Sequence, residues 1–476
     1  MMKNRLNYRE LPIGLSIILL CSSCTMLFGP EERSAMDLPE AYRTAVAGEE
    51  PAADWWTVFH DDQLNQLMSR ALGSNLSVEQ AAARLRQARA VAVKSGAARF
   101  PKLTGTAGAS TKYTHTKGLG IVTTDEFSLG LTASYELDLW GRVASTRRSA
   151  LADLDASRFN LETAAMTVSA QTASAYFQWL YLNQRLAVLE RQLETNRKML
   201  SVVEKRFQTS SADALDVLQR RQQVLAAEAA LPPVRASLEA AYNQLAILVG
   251  ELPEADLGLA VTSFPMLPER PASGIPADLL ARRPDLQAEW ALLAAADWDV
   301  SAARANRMPT LTLTGSATTS NSDTDRLFDN WVKNLAAGLA VPLIDGGTLR
   351  AEAARTRAVA EEQLAAYREA VLNAFGEVED ALSSEIHQQD YLKTLRRQLA
   401  AAEQTADEAY RRYTRGLETY YEAMSMEIAR QGLEVSVLAA ELTLLTDRVQ
   451  LYRVLGGDWS DVLETYRTED RTAENL

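Results

Sequence analysis

The chain states one pattern twice, about 206 residues apart, and an internal duplication fixes an architecture before any single residue does. In the first half Leu186, Leu189, Leu193, Asn196, Leu200, Val203 and Phe207 step by threes and fours. In the second, Leu392, Leu395, Leu399, Ala402, Ala406, Ala409 and Tyr413 fill the same slots in the same order. The turns repeat too: Trp140-Gly141-Arg142 answers Asp345-Gly346-Gly347, and Pro101-Lys102-Leu103-Thr104 answers Pro309-Thr310-Leu311-Thr312. Each copy is expected to hold an opening helix, two strands and a long helical hairpin, the first over residues 61–250 and the second over 276–457.

The strands are expected at about 102–116 and 126–138 in the first copy, with 117–125 as an exposed turn, and at about 310–320 and 330–342 in the second. Between 126 and 138, Phe127, Leu129, Leu131, Ala133, Tyr135 and Leu137 alternate with Ser128, Gly130, Thr132, Ser134 and Glu136. One apolar face and one small polar face at period two is the pattern of a membrane-barrel strand. Four strands do not close a barrel, for which about eight are needed. Open sheet edges are not tolerated in lipid, so several chains must pool their strands, and three would supply twelve.

Residues 142–209 and 349–415 contain no proline, and a helix of that length runs roughly 100 Å. The three-four spacing predicts side-by-side packing as coiled coils. Short loops at 209–213 and 415–419 turn each helix back, and the return helices end at Gly250 and at Gly456-Gly457. Pro232-Pro233 predicts a break in the first return helix. Residues 251–275 are proline-rich and read as a linker, and 458–476 as a tail.

Residues 1–23 read as an export signal, with Lys3, Arg5 and Arg9 ahead of the apolar run 11–20. That run is too short to span a bilayer, which takes about 20 residues. Ser22-Ser23-Cys24 resembles a bacterial lipoprotein cleavage site, which makes Cys24 the acylated first residue of the mature chain, a palmitate-type lipid anchor. A Cys21/Cys24 metal or redox pair is the competing reading, and no second cysteine or histidine cluster completes it. Residues 24–60 would follow as a lipid-anchored strap, with Trp55, Trp56 and Phe59 as its packing anchor. Losing Lys3, Arg5, Arg9 and Glu10 moves the formal charge from −13 to about −15, the wrong sign for nucleic-acid binding. Composition at 47% hydrophobic and 23% charged excludes a disordered chain. No other apolar run is long enough for a spanning helix, so a membrane crossing has to be made of strands.

Catalytic patterns are missing. His60, His115 and His387 lie far apart, and neither a phosphate-binding loop nor a nucleophile elbow is present. Gly346-Gly347 reads as a bend because Gly141 duplicates it, and Glu377, Glu379 and Asp380 read as a solvated helix face rather than a metal site. Neither an enzymatic activity, a cofactor nor a metal is expected.

Five stretches, in order within the repeat, carry a resemblance: 135–142, Arg283-Pro284-Asp285 with Ala288-Glu289, 341–347, 375–382 and 451–457. With the lipoprotein signal they are similar to the TolC-like outer-membrane factor family, in its lipoprotein (NodT-like) branch. The resemblance implies a mixed, mainly α fold: a homotrimer with a twelve-stranded transmembrane β-barrel, four strands per chain, continued by a long α-helical coiled-coil tunnel through the periplasm. It implies the outer-membrane channel of a tripartite efflux pump, a passive exit duct for drugs or other small toxic solutes. A periplasmic adaptor and an inner-membrane RND-type transporter are the implied partners, beside outer-membrane lipid. The family narrows the periplasmic end of its tunnel just after the second helical turn. Here Gly416-Leu417-Glu418-Thr419-Tyr420-Tyr421 matches the start of that motif, with Tyr421 where the family has leucine and Ser425 where it has aspartate. Glu418, Glu422 or Glu427 would then supply the charge, and Asp213 and Asp216 sit at the corresponding turn of the first copy. The competing reading makes these carboxylates ordinary first-turn residues, stabilised by a helix N-terminus. Type I protein secretion, or a pore-less structural coiled-coil lipoprotein, are the alternative functions.

Overall fold

A computed structural model of the chain describes residues 38–44, 54–118, 120–456 and 459. The export signal, Cys24, most of the strap and nearly all of the tail lie outside the described residues. The described residues divide into two compact units, one of Arg84–Arg158 with Ala288–Glu369, the other of residues 38–83, Phe159–Gln287 and those from Ala370 on.

Helix α1 (Asp62–Ser74) and α2 (Leu76–Ala97) are followed by β1 (Lys102–Thr116) and β2 (Gly120–Leu137). Then come α3 (Arg142–Gln208), α4 (Ala214–Ala229), α5 (Leu231–Leu248) and the short α6 (Leu279–Arg282). The second copy adds α7 (Pro284–Ala305), β3 (Thr310–Asn321), β4 (Trp331–Ala340), α8 (Thr348–Thr414) and α9 (Tyr420–Leu455). Among the described residues the fold is mainly helical with one four-stranded sheet, and α3 and α8 have 67 residues each.

The sheet unit is antiparallel throughout, in the order β1-β2-β3-β4. Its register sorts the side chains. Leu103 opposes Ala133, Leu131 opposes Ala317, and Gly315 opposes Leu335, so the leucines of all four strands share one face. The other face is Thr104, Thr106, Thr132, Ser134, Thr312, Thr314 and their neighbours. Strand β2 starts at Gly120, six residues before the expected 126. The turn shrinks to residues near Lys117 and Gly118, because Ile121 to Asp125 pair with Thr111 to His115 and the Thr111 hydroxyl donates to Asp125 at 2.7 Å. Strand β4 stops at Ala340, two residues short of the expected Pro342.

Each last strand passes into its long helix through an aspartate. Asp138 accepts from the amides of Val143 and Ala144 at 3.0 and 2.7 Å, and Asp345 from Gly347 and Leu349 at 2.9 and 2.8 Å. These bonds satisfy amides that a helix start leaves open. They also hold the Asp345 carboxyl below the usual aspartate range. The Arg142 guanidinium forks onto Glu136 at 2.9 and 2.7 Å, and the Trp140 indole donates to the Pro309 carbonyl at 2.7 Å, which ties the two copies together at the sheet's end. Gly141, Gly346 and Gly347, at these bends, all have positive φ.

The helical unit holds the aromatic core. Trp55 stacks on Tyr452 at 5.3 Å, Phe59 meets Phe177 at 5.3 Å, and Leu64, Leu67 and Met68 of α1 are fully buried. Asp61 caps α1 through the amides of Gln63 and Leu64 and receives the Tyr176 hydroxyl at 2.9 Å. The opening helix divides at Asn75. The Asn75 amide group donates to the Leu248 carbonyl at 2.8 Å while its oxygen accepts from Ser77, so a contact distant in sequence selects the break. Pro232 and Pro233 open α5, whereas α9 returns unbroken over 36 residues. Residues 251–275 have no regular structure, yet Gln63 bonds both backbone groups of Ala260, and Tyr242 bridges Ala255 and Leu257.

Gly250 and Gly456 end the two return helices with φ of 78° and 75°. A Cβ at Gly250 would lie 2.3 Å from the Ser74 carbonyl oxygen, and one at Gly456 2.6 Å from that of Arg282. The duplicated glycine thus lets each return helix touch the end of its copy's opening helix. Gly250→Ala is expected to cost the roughly 1–2 kcal/mol of a left-handed residue plus the clash, read as a drop of several degrees in the thermal midpoint.

Candidate functional site

The two short turns that reverse the long helices belong to the helical unit, and the sequence itself builds them. After α3, the amide of Ser211 donates to the Arg206 carbonyl at 2.8 Å, with Ser210 at a positive φ of 56°. After α8, Gly416 at φ 74° allows its amide to reach the Tyr413 carbonyl and that of Leu417 the Arg412 carbonyl, both at 3.0 Å. Thr419 and Glu422 form a reciprocal capping box: the Glu422 amide donates to the Thr419 hydroxyl oxygen and the Thr419 amide to the Glu422 carboxylate, both at 3.3 Å, and the Thr419 hydroxyl adds a bond to that carboxylate at 2.7 Å. In the first copy Asp216 accepts from the Asp213 amide at 3.1 Å.

The residues singled out from the sequence therefore have specific local roles. Glu422 and Asp216 serve helix starts. Glu418 pairs with Arg412 at 3.0 Å. The Ser425 hydroxyl donates to the Tyr421 carbonyl at 2.8 Å, within its own helix. Tyr421 is 62% exposed, beside an equally exposed Leu417. Hydrogen bonding with Glu418, then with the Thr419 side chain and amide, holds the Glu422 carboxyl below the usual glutamate range. Glu427 is drawn inward: burial alone would raise its carboxyl, but Arg430 at 2.8 and 2.9 Å and Gln431 at 2.7 Å lower it.

Behind the turns lies a second set of residues that motif reading did not single out as a site. Val203, Tyr413, Tyr420 and Ala423 form a buried cluster that packs the two turns on one another. Tyr413 and Tyr420 meet edge to face at 5.5 Å, and the Arg206 guanidinium covers the Tyr413 ring at 4.3 Å. Burial pushes the Tyr420 hydroxyl up to about 12. Arg220, only 2% exposed, reaches into the same region from α4. Its signal in the sequence is spacing: Val217, Arg220 and Val224 place an arginine on the apolar face.

In the sheet unit the feature of interest is what is missing around it. Every residue of β1 and β4 is exposed within the chain, including Leu103, Leu335 and Leu339, and β1 and β4 are the sheet's two unpaired edges. Among the described residues no helix is long and apolar enough to cross a membrane, and no group of acidic, histidine or cysteine side chains is arranged to hold a metal.

An amphipathic four-stranded sheet with long helical hairpins, given twice, defines a class that a comparison with known proteins makes specific. The chain belongs to the outer membrane efflux protein family, whose model matches residues 67–251 and 275–457. Among its relatives are the pyoverdine export outer membrane protein OpmQ of Pseudomonas aeruginosa, 35% identical over 94% of this chain and 96% of the relative, and the cation efflux system protein CusC of Escherichia coli K12, 28% identical over 93% and 98%. The outer-membrane channel OprN superposes with a TM-score of 0.85 at 28% identity over 92% of this chain and all of OprN, and CusC with 0.82 at 26% over 91% and 100%. The protein is an outer-membrane channel component of an efflux system.

Proposed function

We propose that three copies of the chain close one twelve-stranded barrel in the outer membrane and that their paired helical hairpins continue it as a tunnel through the periplasm. The observation that carries this reading is the sheet with two uncovered faces and two unpaired edges. A strand of ten to twelve residues, tilted as barrel strands are, matches an apolar band about 25 Å tall. Two copies would give eight strands, whose interior side chains fill, while twelve are the next multiple and leave a bore. The threonine and serine face then lines that bore and the leucine face meets lipid. A hydroxyl lining has little chemical preference, so cargo is chosen upstream, by an inner-membrane RND-type transporter joined through a periplasmic adaptor.

Drugs and other small toxic solutes are the proposed cargo, with acylation at Cys24 as an added anchor. The OpmQ relatives favour a second cargo, pyoverdine itself. Expression in a strain lacking its own OpmQ separates the two: restored pyoverdine in the medium supports the second, and restored drug tolerance alone the first. Mass measurement of the detergent-extracted protein tests the assembly. A trimer with single-channel conductance is expected, and a stable monomer in bilayers would overturn the reading.

The proposed gate is the second helical turn, with Tyr421 as its constriction and Glu418, Glu422, Ser425, Asp213 and Asp216 around it. Tyr421→Ala combined with Glu418→Ala frees Arg412 and removes the exposed ring. Several-fold higher conductance in planar bilayers is expected, and unchanged conductance would remove these residues from the gate.

A further inference from the structure

A cavity of about 230 Å³ lies among α3, α4, α8 and α9, within the helical unit. Val203, Ala406 and Met424 make part of its wall apolar, and Tyr410, Tyr413 and Tyr420 make another part aromatic. Arg220 enters it almost wholly buried, and its Nε and Nη2 atoms have no hydrogen-bond partner. The hydroxyls of Tyr413 and Tyr420, on residues more than nine-tenths buried, have none either. The carboxylates on the wall are Glu427 and Asp407. Glu427 is hydrogen-bonded by Arg430 and Gln431 and also feels the Arg220 charge, while Arg220 Nε and Nη2 stay unbonded.

A buried guanidinium with two of its three nitrogens left without a hydrogen bond is costly, and an apolar side chain of similar volume would be cheaper. The nearby Glu427 charge compensates it only in part, and a residue that breaks the packing rule with incomplete compensation inside the fold marks a place where function sets the sequence. The unfilled donors are an arginine fork, which suits a planar carboxylate, and phenol groups, which donate to the same oxygens. The remaining wall suits a flat apolar body. At this volume, below the range of drug-sized pockets, there is room for a single ring.

We propose that this cavity is a binding site for a small aromatic carboxylate, its anionic end on Arg220 and the tyrosine hydroxyls and its ring among the tyrosines. Since all four helices contribute to the wall, the bound anion links the hairpin of the first copy to that of the second and stabilises their packing. The site adds a ligand to a wall of the duct and does not depend on which cargo passes through.

The test uses the intact protein purified in detergent, with 2-hydroxybenzoate as the probe and 2-hydroxybenzamide as its neutral isostere. Calorimetry is expected to show saturable binding of the acid, at least tenfold weaker binding of the amide, and a raised thermal midpoint with the acid alone. Arg220→Met is expected to lose at least tenfold in affinity while melting no lower than the parent. Tyr420→Phe keeps the charge and is expected to lose several-fold, so the proposal stays testable if Arg220→Met fails to assemble. Absence of saturable binding, equal binding of acid and amide, or undiminished binding by Arg220→Met would each overturn it.

Discussion

Leu335→Arg is expected to abolish assembly in the outer membrane, whereas Asn334→Arg, one residue away, is expected to leave it intact. Leu335 sits in the middle of β4, 85% exposed, and its register partner Gly315 places it on the leucine face. Asn334 pairs with Ser316 on the hydroxyl face. An arginine at the bilayer midplane costs a barrel about 2–4 kcal/mol, which three copies multiply to roughly 6–12 kcal/mol, comparable to the whole stability of a domain. On the bore side the same charge is hydrated. Heat-modifiable mobility and size-exclusion mass read the outcome: monomer or aggregate for Leu335→Arg, and trimer with altered ion selectivity for Asn334→Arg. If both variants assemble equally well, the leucine face does not meet lipid.

The second large effect is expected deep in the helical unit. Arg448 and Glu385 are 1% and 0% exposed, joined at 3.0 and 2.5 Å through two parallel bonds. Arg448 also donates to the backbone carbonyls of Pro268 and Glu269, while Arg270 adds a contact to Glu385 at 3.1 Å. The pair therefore fastens the linker between the copies to α8 and α9. Arg448→Ala leaves a buried carboxylate and two linker carbonyls without their main donor, at a cost of about 3–5 kcal/mol. The thermal midpoint should fall accordingly, with early proteolysis near residues 265–271. Replacing both partners, Arg448→Met with Glu385→Met, should recover most of the loss, because a fully apolar pair carries no unmatched charge. A single variant as stable as its parent would show that the network contributes nothing net.

How much was legible in advance depended on whether the deciding contact was local. The alternation from Phe127 to Leu137 announces its strand because neighbouring side chains there face opposite surroundings. The run Gly120–Asp125 has no alternation, and its strand exists because Thr111 to Thr116 lie opposite. The break at Asn75 has no local signal of that kind, because the bond that selects it goes to Leu248, which lies 173 residues away. At the candidate gate, the sequence located the turns and left two roles open for their carboxylates, and Glu422 and Asp216 bond to backbone amides in their own turns, as the first-turn reading has it. Arg220 hides in the polar run Gln219-Arg220-Arg221-Gln222-Gln223, which reads as solvated unless Val217 and Val224 are counted with it. Arg448 and Glu385 lie 63 residues apart on different helices, where no local signal could join them.

The return path of the first copy is jointed at Pro232, and that of the second is a single rod. Three such chains in a ring would present six handles of two alternating kinds. A partner gripping the ring from outside then meets a threefold object dressed as a sixfold one, so identical partner subunits must either bind every other handle or adopt two different grips.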